Sequence, residues 1–238
     1  MVRFFVTPQA LRQDTVVLEG ENAQHARVLR LKAGEPVLLC DGEGQEALCR
    51  VEENGALAVE QRRSSESEAA VQVSVYMAFP KADKLEHVIQ KATELGAFEI
   101  VAFPSSRCVS RPDEKSLKRK LERWQKIAAS GAGQSGRGRI PQVVVLGSYQ
   151  QALERAAQAD KALLFYEQEQ SLTLKAALEG PYHSVSLLTG PEGGLEEREV
   201  EQAKQAGLQV CTLGKRILRC ETAPLCALSA VMFDAGEF

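Results

Sequence analysis

The sequence predicts a small β-rich domain followed by an α/β domain with a mainly parallel sheet. Up to residue 60, short apolar runs are broken by the turn signals Asp41-Gly42 and Asn54-Gly55. Beyond residue 70, strand-like and helix-like stretches alternate to the end of the chain, the pattern of a sheet covered on both faces. Between them QRRSSESEAA, at 61–70, is polar and poor in large apolar groups, as a linker is. The expected domains are therefore 1–68 and 69–238.

In the first domain VVLEG and the run PVLLCDGEGQEALCRVEENGALAVEQ supply the strands. ENAQHARVLRLKAGE reads as a short helix ending at Gly34. In the second domain VQVSVYMAF is a strand and DKLEHVIQKATELG an amphipathic helix closed by Gly96. FEIVAFP is a strand, SLKRKLERWQKIAASGAG a helix and PQVVVL a strand. YQQALERAAQA, SLTLKAALEG and EEREVEQAKQAG follow as helices, interleaved with the strands KALLFY, SVSLLTG and LQVCTLG, and APLCALSAVMF closes the chain as a helix.

Composition narrows the function. The 238 residues are 44% apolar and 26% charged with net charge −3, so overall charge does not mark a nucleic-acid binder and any such role must rest on a local basic patch. No apolar run reaches membrane-spanning length, and MVRFFVTPQALRQDTVVLEG carries no signal-peptide core, which points to the cytosol and away from a membrane. The six cysteines form no CxxC pair and the three histidines are scattered, so no metal site is expected and the thiols read as free.

Ligands of open α/β sheets bind at the carboxyl ends of strands. TGPEGG, from Thr189 to Gly194, follows such a strand and precedes a helix, yet it matches neither GxxxxGK[ST] nor GxGxxG. Glu192 would repel a phosphate, so an uncharged or cationic ligand fits better. An adenosine bearing a sulfonium, as in S-adenosylmethionine, is such a ligand. The missing GxGxxG argues against a nicotinamide-dependent dehydrogenase. A second loop, LGKRILRCETAP, follows the next strand with Gly214 in its turn, apolar Ile217 and Leu218, then Arg219 and Glu221. Thr222 reads as the N-cap of the last helix with Pro224 just inside it. Two loops after consecutive strands can wall one pocket.

These motifs carry a resemblance. GPEGG at 190–194, LGKRILRCETA at 213–223, KLEHVIQKATELG at 84–96, GQSGRGRIPQV at 133–143 and HARVLR at 25–30 make the chain similar to the ribosomal RNA small-subunit methyltransferase E family of the SPOUT class. Cys220 departs from the threonine usual there, and Gly133 from a common glutamate. The resemblance implies S-adenosylmethionine-dependent methylation of N3 of one uridine in 16S ribosomal RNA of the small subunit. It implies a SPOUT α/β domain with a deep trefoil knot, an N-terminal PUA-like barrel and a homodimer. The cofactor residues would be Leu188, Thr189, Gly190, Pro191, Glu192, Gly193, Gly194, Leu213, Gly214, Ile217, Leu218, Arg219, Thr222 and Ala223. Arg219 is the candidate for stabilising charge on the uracil, with Glu221 positioning Arg219 or accepting the proton. Methylation of another atom, such as a ribose 2′-hydroxyl, and a catalytically silent RNA-binding assembly factor stand as alternatives.

For RNA, residues 107–139 concentrate Arg107, Arg111, Arg137, Arg139 and a run from Lys115 to Lys126 in an acidic protein. The lysine-rich run reads as a solvated helix face. GAGQSGRGR reads as a flexible loop whose Gln134, Arg137 and Arg139 reach phosphate and base edges. His25, Arg27 and Arg30 form a smaller basic group in the first domain.

Overall fold

The structure is a computed structural model that describes residues 1–109, 112 and 114–238, with the side chain of Glu114 excepted. Arg111 of the basic region lies outside the described residues.

Two compact units divide the chain. The first comprises 1–68 together with 132–140, the second 69–131 and 141–238. The first unit holds β1 (Val2–Phe5), α1 (Pro8–Leu11), β2 (Thr15–Val16), α2 (Gly20–Leu29), β3 (Pro36–Cys40), β4 (Gln45–Val51) and β5 (Leu57–Ser64). Its sheet runs β1-β3-β4-β5-β2, with β1 parallel to β3 and the other pairs antiparallel. Phe4, Val16, Val37, Leu39 and Leu57 fill its core.

Three expectations change here. The expected linker begins late, because 61–64 extend β5: Ser64 pairs with Gln45, and Arg63 reaches Glu46 on β4 at 2.8 Å. Exposed polar residues on a strand read as linker when the partner strand is not in view. Helix α2 stops at Leu29 rather than Gly34, because Arg30 takes the left-handed conformation, φ 54°, and caps it. The third change concerns GAGQSGRGR. Its first half is the end of a long helix, and 132–140 pack with the first unit.

The second unit holds β6 (Gln72–Ala78), α3 (Lys84–Glu94), β7 (Glu99–Phe103), α4 (Glu114–Ser135, whose end belongs to the first unit), β8 (Gln142–Val145) and α5 (Tyr149–Ala156). It continues with β9 (Lys161–Phe165), α6 (Leu174–Ala177), β10 (Ser184–Thr189), α7 (Glu197–Gln205), β11 (Gln209–Cys211) and α8 (Thr222–Asp234). All strand pairs are parallel, in the order β11-β9-β10-β6-β7-β8. Gly96, at φ +93°, ends α3 where the sequence placed the stop. Glu196 and Glu199 close a capping box at the head of α7.

Strand side chains alternate between faces. On one face Tyr76, Phe103 and Leu188 pack against Leu153 of α5 and Val200 of α7. Helix α8 packs on β10, β6 and α3. Among the described residues no helix is long and apolar enough to cross a membrane, and no cluster of three or more metal-binding side chains forms.

Candidate cofactor site and its loops

The strand order decides where the loops meet. The carboxyl ends of β11, β9, β10 and β6 stand side by side, so the segments leaving them share one edge of the sheet. They enclose a cavity of about 500 Å³ lined by 189–195, 212–220, Phe165–Glu167, Lys84 and Ala223. That volume lies in the range of small-molecule sites.

The glycine-rich turn is tight. Gly194 N–H donates to the Pro191 carbonyl at 2.9 Å. A Cβ on Gly190 would stand 3.0 Å from Leu195 Cγ and 3.2 Å from the Gly194 carbonyl carbon. Gly194 has φ +68°, and a Cβ there would lie 2.6 Å from Glu167 Oε1. Arg107, after β7, donates from Nη1 to the Gly193 carbonyl at 2.9 Å and so braces this loop from outside. The Arg107 segment is itself fixed, since Ser106 N–H donates to buried Glu199 Oε1 at 2.8 Å.

Of the fourteen residues expected to hold the cofactor, Thr189 to Gly194, Leu213, Gly214, Ile217, Leu218, Arg219 and Ala223 line the cavity. Leu188 does not. It points into the core, because alternation along β10 puts it on the face covered by α5 and α7. Thr222 is not among the lining residues either, and Glu221 rather than Thr222 occupies the N-cap position of α8. Lys84, Phe165, Tyr166 and Glu167 line the cavity without having been expected. They come from the end of β9 and the segment after it, and from the start of α3 after β6, and only the sheet order shows that β9 and β6 border β10.

Glu192 is compensated rather than merely tolerated. It accepts the Lys81 N–H at 3.0 Å and pairs with Lys84 Nζ at 3.1 Å. Burial pushes its carboxyl up, but backbone N–H groups and Lys84 outweigh this and hold it below the usual range. Glu221 shows the same balance. Burial raises it, while its own backbone N–H, the Cys220 thiol and Lys84 lower it further. Its ion pair is with Lys84, at 3.1 Å, which replaces the expected pairing with Arg219. Arg219 stands exposed at the cavity wall. Cys220 is buried and donates to Glu221 Oε2 at 3.2 Å. Burial first, then the bond to Glu221 and nearby carboxylate charge, push its thiol up to about 12, so it is protonated at neutral pH.

The expected RNA residues divide. His25, Arg27 and Arg30 are exposed on or just after α2, His25 with its ring edge against Phe4, and Gln134 is exposed near the end of α4. Arg137 is a correction. It is 3% exposed and its guanidinium meets Glu68 at 2.6 Å. Arg139 is a second, half-buried and donating to the Glu43 carbonyl, while its backbone N–H and that of Gly138 both donate to Glu68. These arginines build the first unit instead of reaching outward.

Comparison with known proteins agrees with this geometry. Residues 67–232 match the RNA methyltransferase domain family and 18–60 match the RNA methyltransferase PUA domain family. A Bacillus subtilis protein named ribosomal RNA small subunit methyltransferase E is 38% identical, over 98% of this chain and 97% of its own. A Neisseria gonorrhoeae enzyme of the same name, solved bound to S-adenosyl methionine, superposes with a TM-score of 0.85 at 33% identity, over 98% of this chain and 97% of that one. A Legionella pneumophila chain solved with the same cofactor gives 0.83 at 26% identity, over 98% and 97%. The fold is thus α/β with a PUA domain and a methyltransferase domain, and the chain belongs to the ribosomal RNA small subunit methyltransferase E family.

Proposed function

We propose that the protein transfers a methyl group from S-adenosylmethionine to N3 of one uridine of 16S ribosomal RNA in the small ribosomal subunit. The observation that carries the reading is the cavity at the ends of β10 and β11, built from both loops that the motifs mark. Its residues fit the cofactor. Gly190 packs tightly on Leu195 and the Gly194 main chain, Gly194 takes the left-handed φ of +68°, and Leu195, Leu213, Ile217 and Leu218 offer apolar walls for an adenine. The lysine beside the glycine turn, Lys84, is engaged by Glu192 and Glu221.

When bound, the cofactor supplies an electrophilic methyl on sulfur. The chain must orient it, exclude water and ease loss of the uridine N3 proton. Arg219, exposed at the wall, is placed to stabilise negative charge spreading onto the flanking uracil oxygens. Glu221, held ionised, is the candidate proton acceptor. N3 lies on the pairing edge, so the uridine must be unpaired or flipped out.

The same proposal includes the knot, the dimer and the RNA face. The chain leaves edge strand β11 and returns so that α8 packs on β10 and β6, further into the sheet, an arrangement compatible with a knot. Helix α8 also exposes Phe233 and Cys226 beside buried Leu228 and Val231, an apolar helix that a second copy would cover. His25, Arg27, Arg30 and Gln134 offer RNA contacts, with the protein acting in the cytoplasm.

The test is methylation of naked 16S ribosomal RNA and of small subunits from a strain lacking the enzyme, with nucleoside analysis of the product. 3-Methyluridine is expected. A 2′-O-methyl nucleoside, or cofactor binding with no transfer to either substrate, overturns the reading.

A further inference from the structure

Lys84 lies outside both ligand loops, yet it is where they converge. It is the first residue of α3, on the segment that leaves β6, next to β10 in the sheet. Its ammonium stands 3.1 Å from Glu192 Oε1 in the glycine-rich turn and 3.1 Å from Glu221 Oε2 at the head of α8. The Cys220 sulfur lies 3.7 Å away. A lysine in the first turn of a helix is placed against the helix dipole, so local structure alone does not favour a cation there. The two carboxylates supply the reason. A compact ammonium with three donors can meet acceptors that diverge, where a planar guanidinium prefers acceptors in one plane.

We propose that Lys84 is a positioning residue, fastening the glycine-rich turn to the start of α8 so that the cofactor and the target uridine are held against one wall. The proposal rests on the methyl-transfer reading given above. The Glu192 carboxylate also accepts the Lys81 N–H, so the segment before α3 grips the turn at two points. Without the ammonium, Glu192 and Glu221 would face each other as like charges, and the two loops would separate. Both effects act on cofactor binding and on Glu221, the candidate proton acceptor, so Lys84 acts through its two carboxylate partners.

The experiment uses the full chain with four proteins: wild type, Lys84→Met, Glu192→Gln and the double variant. Calorimetry with S-adenosylmethionine gives cofactor affinity, and single-turnover methylation of enzyme-free small subunits gives the transfer rate. Lys84→Met is expected to weaken cofactor binding by about tenfold and to slow transfer at saturating cofactor by about as much. If Lys84 did not act through Glu192, the two substitutions would add. The proposal expects the double variant to bind no worse than Lys84→Met alone, because removing Glu192's charge relieves the repulsion. If Lys84→Met fails to fold by circular dichroism, Lys84→Gln, which removes the charge and ends one bond short but keeps N–H donors, carries the same measurements. Wild-type affinity and rate in the lysine variant, or effects that add, overturn this proposal alone. A wild-type protein that binds cofactor but methylates no RNA overturns the methyl-transfer reading and this proposal with it.

Discussion

Two glycine- and arginine-bearing segments look alike in the sequence and do opposite things. In SGRGR, at 135–139, Arg137 is buried against Glu68, and Gly138 is needed because a Cβ there would lie 2.4 Å from Ser65 Cβ. In LGKRILR, at 213–219, Gly214 meets nothing within 4 Å, and Lys215, Arg216, Ile217 and Arg219 are exposed. The first segment is closed by a carboxylate distant in sequence, the second is open around a cavity. An arginine beside glycine is therefore a ligand-seeking group only when no acid in the fold has already claimed it.

The largest effect should come from the open side. Gly194→Val forces a β-branched residue into the left-handed region, a strain of about 1–2 kcal/mol, and drives its side chain toward Glu167. Cofactor binding by calorimetry is expected to vanish while circular dichroism stays native. Unchanged affinity would show that the turn does not border the ligand. Next comes Arg219→Ala. Loss of one preorganised donor to a developing oxyanion lowers transfer on the order of 10²-fold. Folding should be untouched, since Arg219 is exposed. A wild-type single-turnover rate would remove Arg219 from the chemistry.

The closed side should break differently. Arg137→Met leaves the Glu68 carboxylate without its guanidinium partner, and breaking such a buried pair costs about 3 kcal/mol. The readout is a lower urea midpoint for the first unit with cofactor affinity unchanged. Charge reversal at Arg137 and Arg139 would thus weaken RNA binding through loss of the first unit's fold, not loss of contacts. A selective fall in RNA affinity with a wild-type urea midpoint would reverse the assignment.

The comparison also shows what a sequence can reveal. The parallel α/β core was legible because helices such as α3 and α5 announce themselves by apolar spacing and the strands by unbroken apolar runs. The cavity loops were legible because each glycine motif directly follows a strand. Lys84 and Glu167 were not, because their place beside Glu192 and Gly194 depends on β6 and β9 flanking β10, and strand order is not local information. Arg137 was misread for the same reason, its partner Glu68 lying 69 positions away.

The smallest effect sharpens the chemistry of the open side. Cys220 lies between Arg219 and Glu221, where a thiolate could add to C6 of a uracil and open a route to C5. The structure disfavours that route, since the thiol is buried, donates to Glu221 and is pushed up to about 12. A group so placed serves Glu221 as a hydrogen-bond donor, a task that a serine hydroxyl performs as well. Glu221 is held below the usual carboxylate range, so its ion pair with Lys84 is complete at neutral pH and fails only as pH falls through that lowered value. Cys220→Ser is therefore expected to keep the transfer rate within about threefold of wild type, since one neutral hydrogen bond replaces another of similar net worth. Its loss of activity on acidification should occur over the same range as in wild type. An inactive, folded Cys220→Ser that still binds cofactor, or a wild-type product carrying its methyl at C5, would replace direct transfer to N3 with covalent catalysis.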